Sequence, residues 1–183
     1  MEHIDTAAAH GLADALRASW DELTAAIDAS AGGWGDRTLE SEDDEADAWS
    51  PRLAAWHVIT GERMRTVYLR HIVDDAPSDP LDMLAGAGAG IPEFDDSTLR
   101  DQYRATKTPD EMRPILTRAR DDSAALVSGL HDDQLALAAK RSAFMHEYLA
   151  GHGQSSGNDV RGDLLHGAVH LRDHARQLSP RGH

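Results

Sequence analysis

Apolar residues spaced three and four apart recur along almost the whole chain, and that period restricts it to a helical fold. Leu12, Leu16, Trp20, Leu23 and Ile27 set the pattern and predict a first amphipathic helix over residues 4–29, ended by Gly32, Gly33 and Gly35. A second helix starts where Ser50 can cap and Pro51 suits the first turn. Its inward face is predicted to carry Leu53, His57, Thr60, Met64, Val67 and His71, and Asp74 to Pro80 stops it. A short extra helix is predicted over 97–106. A third long helix runs over 109–130 with Met112, Ile115, Leu116, Ala119, Leu126 and Leu130 inward. Residues 131–158 are ambiguous, with room for a partly helical stretch and a flexible loop from Gly151 to Asn158, and 159–178 make the fourth long helix, ended by Pro180. No stretch alternates as a strand would. The expectation is an all-α chain, a four-helix bundle of antiparallel type with long loops, formed by residues 1–183 as one domain.

Composition excludes several chemistries. The chain has no cysteine, so disulfides, thiolate zinc sites, iron–sulfur clusters and a cysteine nucleophile are ruled out, and a metal must be held by His, Asp, Glu or an outside ligand. A formal charge of −14 with lysine only at Lys107 and Lys140 argues against nucleic acid as a partner, because phosphate binding needs a basic surface. The N-terminus carries no signal-peptide pattern, and the longest uncharged apolar-looking run, Met83 to Pro92, is too short and glycine-rich to span a bilayer. A cytoplasmic protein with no membrane partner is expected. Homodimerisation is compatible with a small bundle, although no surface stripe demands it.

Against that background the histidines stand out. His166, His170 and His174 are each four residues apart in the fourth helix, so neighbouring rings stack on one face. His166 and His174 are about 12 Å apart along the axis, too far to share one ion. The spacing therefore allows either His166/His170 or His170/His174 as a pair, completed by His57 from the second helix. Each of these histidines has a plain alternative as a hydrogen-bonded core residue or a solvated one; their conjunction on stripes continuous with apolar positions favours a metal.

Other patterns carry less. His146-Glu147-Tyr-Leu-Ala150 begins like a zincin helix but lacks the second histidine, and His152 is off the required face; His146 and Glu147 are read as cleft-lining at most. No glutamate has a histidine three residues later, as di-iron bundles need. Gly86-Ala-Gly88-Ala-Gly90 follows no strand and reads as loop. Trp20, Trp34, Trp49 and Trp56 read as core and staple residues, and the acidic run from Glu40 to Asp47 as a solvated loop.

The segment Trp49-Ser-Pro-Arg-Leu-Ala-Ala-Trp-His57 resembles the helix-two signature of the DinB/YfiT-like superfamily. Asp163-Leu-Leu-His-Gly-Ala-Val-His170-Leu-Arg-Asp-His174-Ala-Arg-Gln-Leu178 resembles its helix-four signature. Order, spacing and chain length fit over essentially the whole sequence, except the long 131–158 connection. The resemblance implies a DinB-like bundle holding a divalent metal such as nickel, zinc or iron on three histidines, which map to His57, His170 and His174, with His166 behind them or at the rim. Relatives of that kind include transferases and isomerases dependent on mycothiol or bacillithiol. It thus implies a metal-dependent enzyme acting on a small-molecule substrate with a low-molecular-weight thiol. The alternatives are a metal-dependent hydrolase and a non-catalytic, stress-associated helical dimer. No catalytic acid or base is assigned.

Overall fold

A computed structural model describes residues 4, 8–35, 49–75, 92–140, 143–155 and 157–179. Among these are six α-helices and no strand beyond an isolated bridge between Ala138 and Asp159. In chain order they are α1 (Ala9–Ala29), α2 (Pro51–Asp75), α3 (Asp96–Ala105), α4 (Pro109–Ser128), α5 (Ala143–Gly151) and α6 (Val160–Leu178). None is long and apolar enough to cross a membrane. The acidic run 40–47 and the glycines of 86–90 lie outside the described residues.

Local chemistry sets most of the helix starts. The Ser50 hydroxyl accepts from the Leu53 N–H at 3.2 Å, and Asp159 accepts from Gly162 at 2.8 Å. Thr108 and Glu111 form a reciprocal capping box that satisfies two amides otherwise left bare in the first turn. Asp95 caps α3 through the amides of Ser97 and Thr98. Helix α1 has no cap of its own. Its Ala9 N–H instead donates to Asp132 at 2.9 Å, from the turn that follows α4.

The four long helices pack as a ring in which α1 meets α6 and α4, and α2 meets α4 and α6. Side-chain pairings give the directions. Leu16 lies against Gly167 and Glu22 pairs with Arg172, so α1 and α6 are parallel neighbours. His57 lies with His174, and Glu62 with His170, so α2 runs opposite to α6. Asp28 pairs with Arg113 near the start of α4, so α4 runs opposite to α1. The ring is therefore not antiparallel throughout, as the sequence had suggested. The long connections around α3 and α5 let neighbouring helices run the same way. The core is built on Leu12, Trp20, Leu23 and Ile27 of α1, Ile59, Leu69 and Ile72 of α2, Met112 of α4, and Leu165 of α6.

The predicted inward face of α2 needs correction. The inward face of α2 carries Ala54, Ala55, Val58, Ile59, Tyr68, Leu69 and Ile72, and His57 and His71 are exposed while Leu53, Met64 and Val67 lie at the edges. The predicted face was out of phase because the true one also buries Glu62, Arg63, Arg65 and Thr66, whose charge or polarity disguises it. Residues 131–158 are helical in part, as the sequence allowed, with a 3-10 turn at Asp132–Ala136 and helix α5.

Candidate metal centre

Helix α6 is buried nearly all round, and one stripe of it carries His166, Gly167, His170 and His174 toward α2. The antiparallel pairing of α2 and α6 brings His57 to the same place, so that a ring nitrogen from each of His57, His170 and His174 lies within 4.8 Å of the others. His166 is not in that group.

The outer hydrogen bonds decide what these nitrogens can do. His170 Nδ1 lies 3.2 Å from a Glu62 oxygen, and His174 Nδ1 lies 2.7 Å from the Gln177 side-chain oxygen. Both partners are acceptors, so each Nδ1 carries the proton and each Nε2 presents a lone pair. Those two Nε2 atoms face each other at 3.1 Å. Two nitrogens each about 2.0–2.1 Å from a tetrahedral ion sit about 3.3 Å apart, so this spacing suits ligation. Two bare lone pairs at that distance repel unless a cation or a proton lies between them. His57 completes the set from the solvent side, its ring 5.5 Å from His170 and 5.3 Å from His174 between centroids. Among the described residues no hydrogen bond anchors the His57 ring, which leaves it free to swing onto an ion. The three histidines could hold a divalent cation.

Electrostatics keeps His57 and His174 neutral at ordinary pH. Burial, then the neighbouring His170 and His57, push the His174 pKa down to about 3, against weaker support from Gln177 and Asp173. One edge of His57 meets solvent, yet crowding of the rest of the ring and the adjacent His170 bring its pKa to about 4, with Glu62 pulling the other way. Neutral imidazole is the form that binds metal.

Glu62 is the residue that the sequence analysis did not find. It is buried, accepts from His170 and pairs with Arg65. Burial alone would raise its pKa; the Arg65 charge and the His170 hydrogen bond outweigh this and hold it below the usual carboxylate value. Arg65 is buried too and donates onward to Nδ1 of His166. His166 therefore lies behind the triad, stacked at 24° on His170 with its Nδ1 occupied. Gly167 makes room for this arrangement, because a β-carbon there would lie 2.8 Å from Arg65 and 2.9 Å from Glu62.

Two aromatic residues complete the surroundings. Trp49 stands edge-on to His57 at 4.8 Å and parallel to His174 at 6.2 Å, so it borders the triad while also packing against the core. Tyr148 of α5 lies 5.2 Å from the His166 ring and 6.1 Å from that of His170. Of the zincin-like stretch, His146 bonds to Asn158 at 2.8 Å and Glu147 is exposed, so neither reaches the triad. Trp20 and Trp34 are buried in the core, while Trp56 packs on Tyr103 at 5.8 Å. No family model, no curated protein and no solved structure matches this chain.

Proposed function

We propose that the protein is a metal-dependent enzyme of the DinB/YfiT-like kind that transfers or isomerises a small substrate with a low-molecular-weight thiol. One observation carries the metal part: the Nε2 atoms of His170 and His174 face each other at 3.1 Å while both Nδ1 atoms are committed to acceptors. Anchoring the outer nitrogen of a ligand histidine fixes its tautomer and orientation, and both α6 histidines have such an anchor. A divalent ion such as nickel, zinc or iron, when bound, supplies Lewis acidity that lowers the pKa of a donor at its open positions.

The thiol part rests on the resemblance of the α2 and α6 segments and on what surrounds the triad. Hydrolysis needs a base to take a proton from water, and the nearby carboxylates are already engaged: Glu62 by Arg65 and His170, Asp173 by Tyr148 and His152. Transfer to an electrophile by a thiol asks for no such base in the chain, because the far more acidic thiol gives up its proton to solvent. The chain itself has no cysteine, so the sulfur comes from a separate molecule. His57, exposed at the edge of the triad, marks the side from which that molecule enters.

The test is a screen of nickel-, zinc- and iron-loaded protein with small thiols, mycothiol and bacillithiol included, against electrophilic acceptors. Turnover that needs both thiol and metal is expected. Metal-dependent turnover in the absence of any thiol would move the protein to the hydrolase reading, and stoichiometric metal without turnover to a binding role.

A further inference from the structure

Helix α5 packs chiefly on α6, and its polar fastenings to that helix converge on one carboxylate. The Tyr148 hydroxyl donates to Oδ2 of Asp173 at 3.0 Å, while Oδ1 of the same residue lies 3.3 Å from Nε2 of His152. His152 donates from Nδ1 to the Tyr148 carbonyl at 2.8 Å, which closes a loop of contacts at the C-terminal end of α5. Farther along, His146 bonds to Asn158, and Met145 and Leu149 are buried beneath the helix. Asp173 sits one residue before His174 and three after His170, and the Tyr148 ring stands against His166 and His170.

We propose that α5 is a flap latched onto the histidine-bearing stretch of α6 by Tyr148, and that it closes the metal centre on the side opposite Trp49. The proposal rests on the metal reading above for what is enclosed, and on the Tyr148–Asp173–His152 contacts for the latch. Tyr148 is a positioning residue here: its ring covers His170, and its hydroxyl ties that cover to the backbone turn that carries both α6 histidines. Trp49 borders His57 and His174 at the other end of the row. With α5 shut, exchange of a bound ion is left to the exposed His57 edge.

Two readings separate the latch from the metal. In the metal-free protein, amide hydrogen exchange over 143–152 should quicken about tenfold in Tyr148→Phe, the scale expected for losing a hydrogen bond to a charged group, and by a few-fold in His152→Ala, which loses the neutral bond to the Tyr148 carbonyl, while α1 amides stay unchanged. Unaltered exchange over 143–152 in both variants would overturn the latch whether or not the protein binds metal. In the cobalt-loaded protein, removal of the ion by a chelator should be about tenfold faster in Tyr148→Ala than in the parent at equal cobalt content. Equal removal rates, with α5 loosened, would overturn the role of α5 as a wall. Failure of the parent chain to take up cobalt would instead strike the metal reading and with it the enclosure, and the exchange result would still judge the latch.

Discussion

A β-carbon on Gly167 would lie 2.9 Å from Oε2 of Glu62, closer than real side chains come. Glycine at this position lets α6 approach α2 closely enough for a buried carboxylate to support His170. Gly167→Ala must displace the Glu62–Arg65 pair, both members of which are buried. The expected cost is about 1–3 kcal/mol of stability from overpacking, with weaker metal binding alongside. Urea unfolding of the metal-free variant and a zinc titration check both, and a variant as stable as the parent with unchanged affinity would show that the pair can shift without consequence.

Gln177 gives a cleaner test of support from outside the ligand set, because it is uncharged and only partly buried. In Gln177→Ala the His174 Nδ1–H loses its acceptor, and metal affinity should fall about 10–100-fold with little change in fold stability. Competition against a chromophoric chelator measures it. An affinity within twofold of the parent would remove Gln177 from the account.

The pKa shifts give stability a definite direction with pH. Histidines at about 4 and about 3 when folded, against 6.5 when unfolded, leave the unfolded chain with more bound protons as pH drops below 6.5. Their effect is nil above pH 6.5 and becomes a progressive loss of stability as pH falls toward those folded values. Glu62 adds to the loss at the acid end, since its folded pKa lies below 4.5 and its contribution vanishes as pH falls through that range. The urea midpoint of the metal-free protein should therefore be flat from pH 8 to 7 and decline below about 6.5. A divalent ion should hold the midpoint up to lower pH, because it competes with protons for the same nitrogens. A midpoint that rises on acidification would contradict the assignment.

His166 should separate structure from ligation. Its Nδ1 accepts from the buried Arg65, so His166→Ala leaves a buried donor unsatisfied and should cost about 1–3 kcal/mol. Metal content per folded chain should not change. Parallel measurements of unfolding and metal content on that variant decide the point, and loss of the ion would place His166 among the ligands.

How much of this was legible in the sequence depended on whether local rules were enough. Ser50, Thr108 and Asp159 announce helix starts because capping involves residues within three positions of one another. The i, i+4 spacing narrowed the α6 ligands to His166/His170 or His170/His174, and Gln177, three residues beyond His174, was within reach of the same rule. Helix α2 was read out of phase because polarity is the usual marker of an outward face, and its inner face buries Glu62 and Arg65 as partners of each other and of α6. His57 was placed inward for that reason, although it stands exposed at the rim. The choice among the three α6 histidines hung on the stagger between α2 and α6, a tertiary quantity that spacing within one helix does not contain. The same holds for Trp49 and Tyr148, which border the triad only because of how distant segments dock.

The most direct test of the central claim is metal content, measured on protein purified without an affinity tag. The parent chain should carry close to one divalent ion, with X-ray absorption reporting imidazole nitrogens at about 2.0–2.1 Å if the ion is zinc. His57→Ala, His170→Ala and His174→Ala should each lose that ion. Only trace metal in the parent after reloading, or full occupancy retained in His57→Ala and His174→Ala, would contradict it.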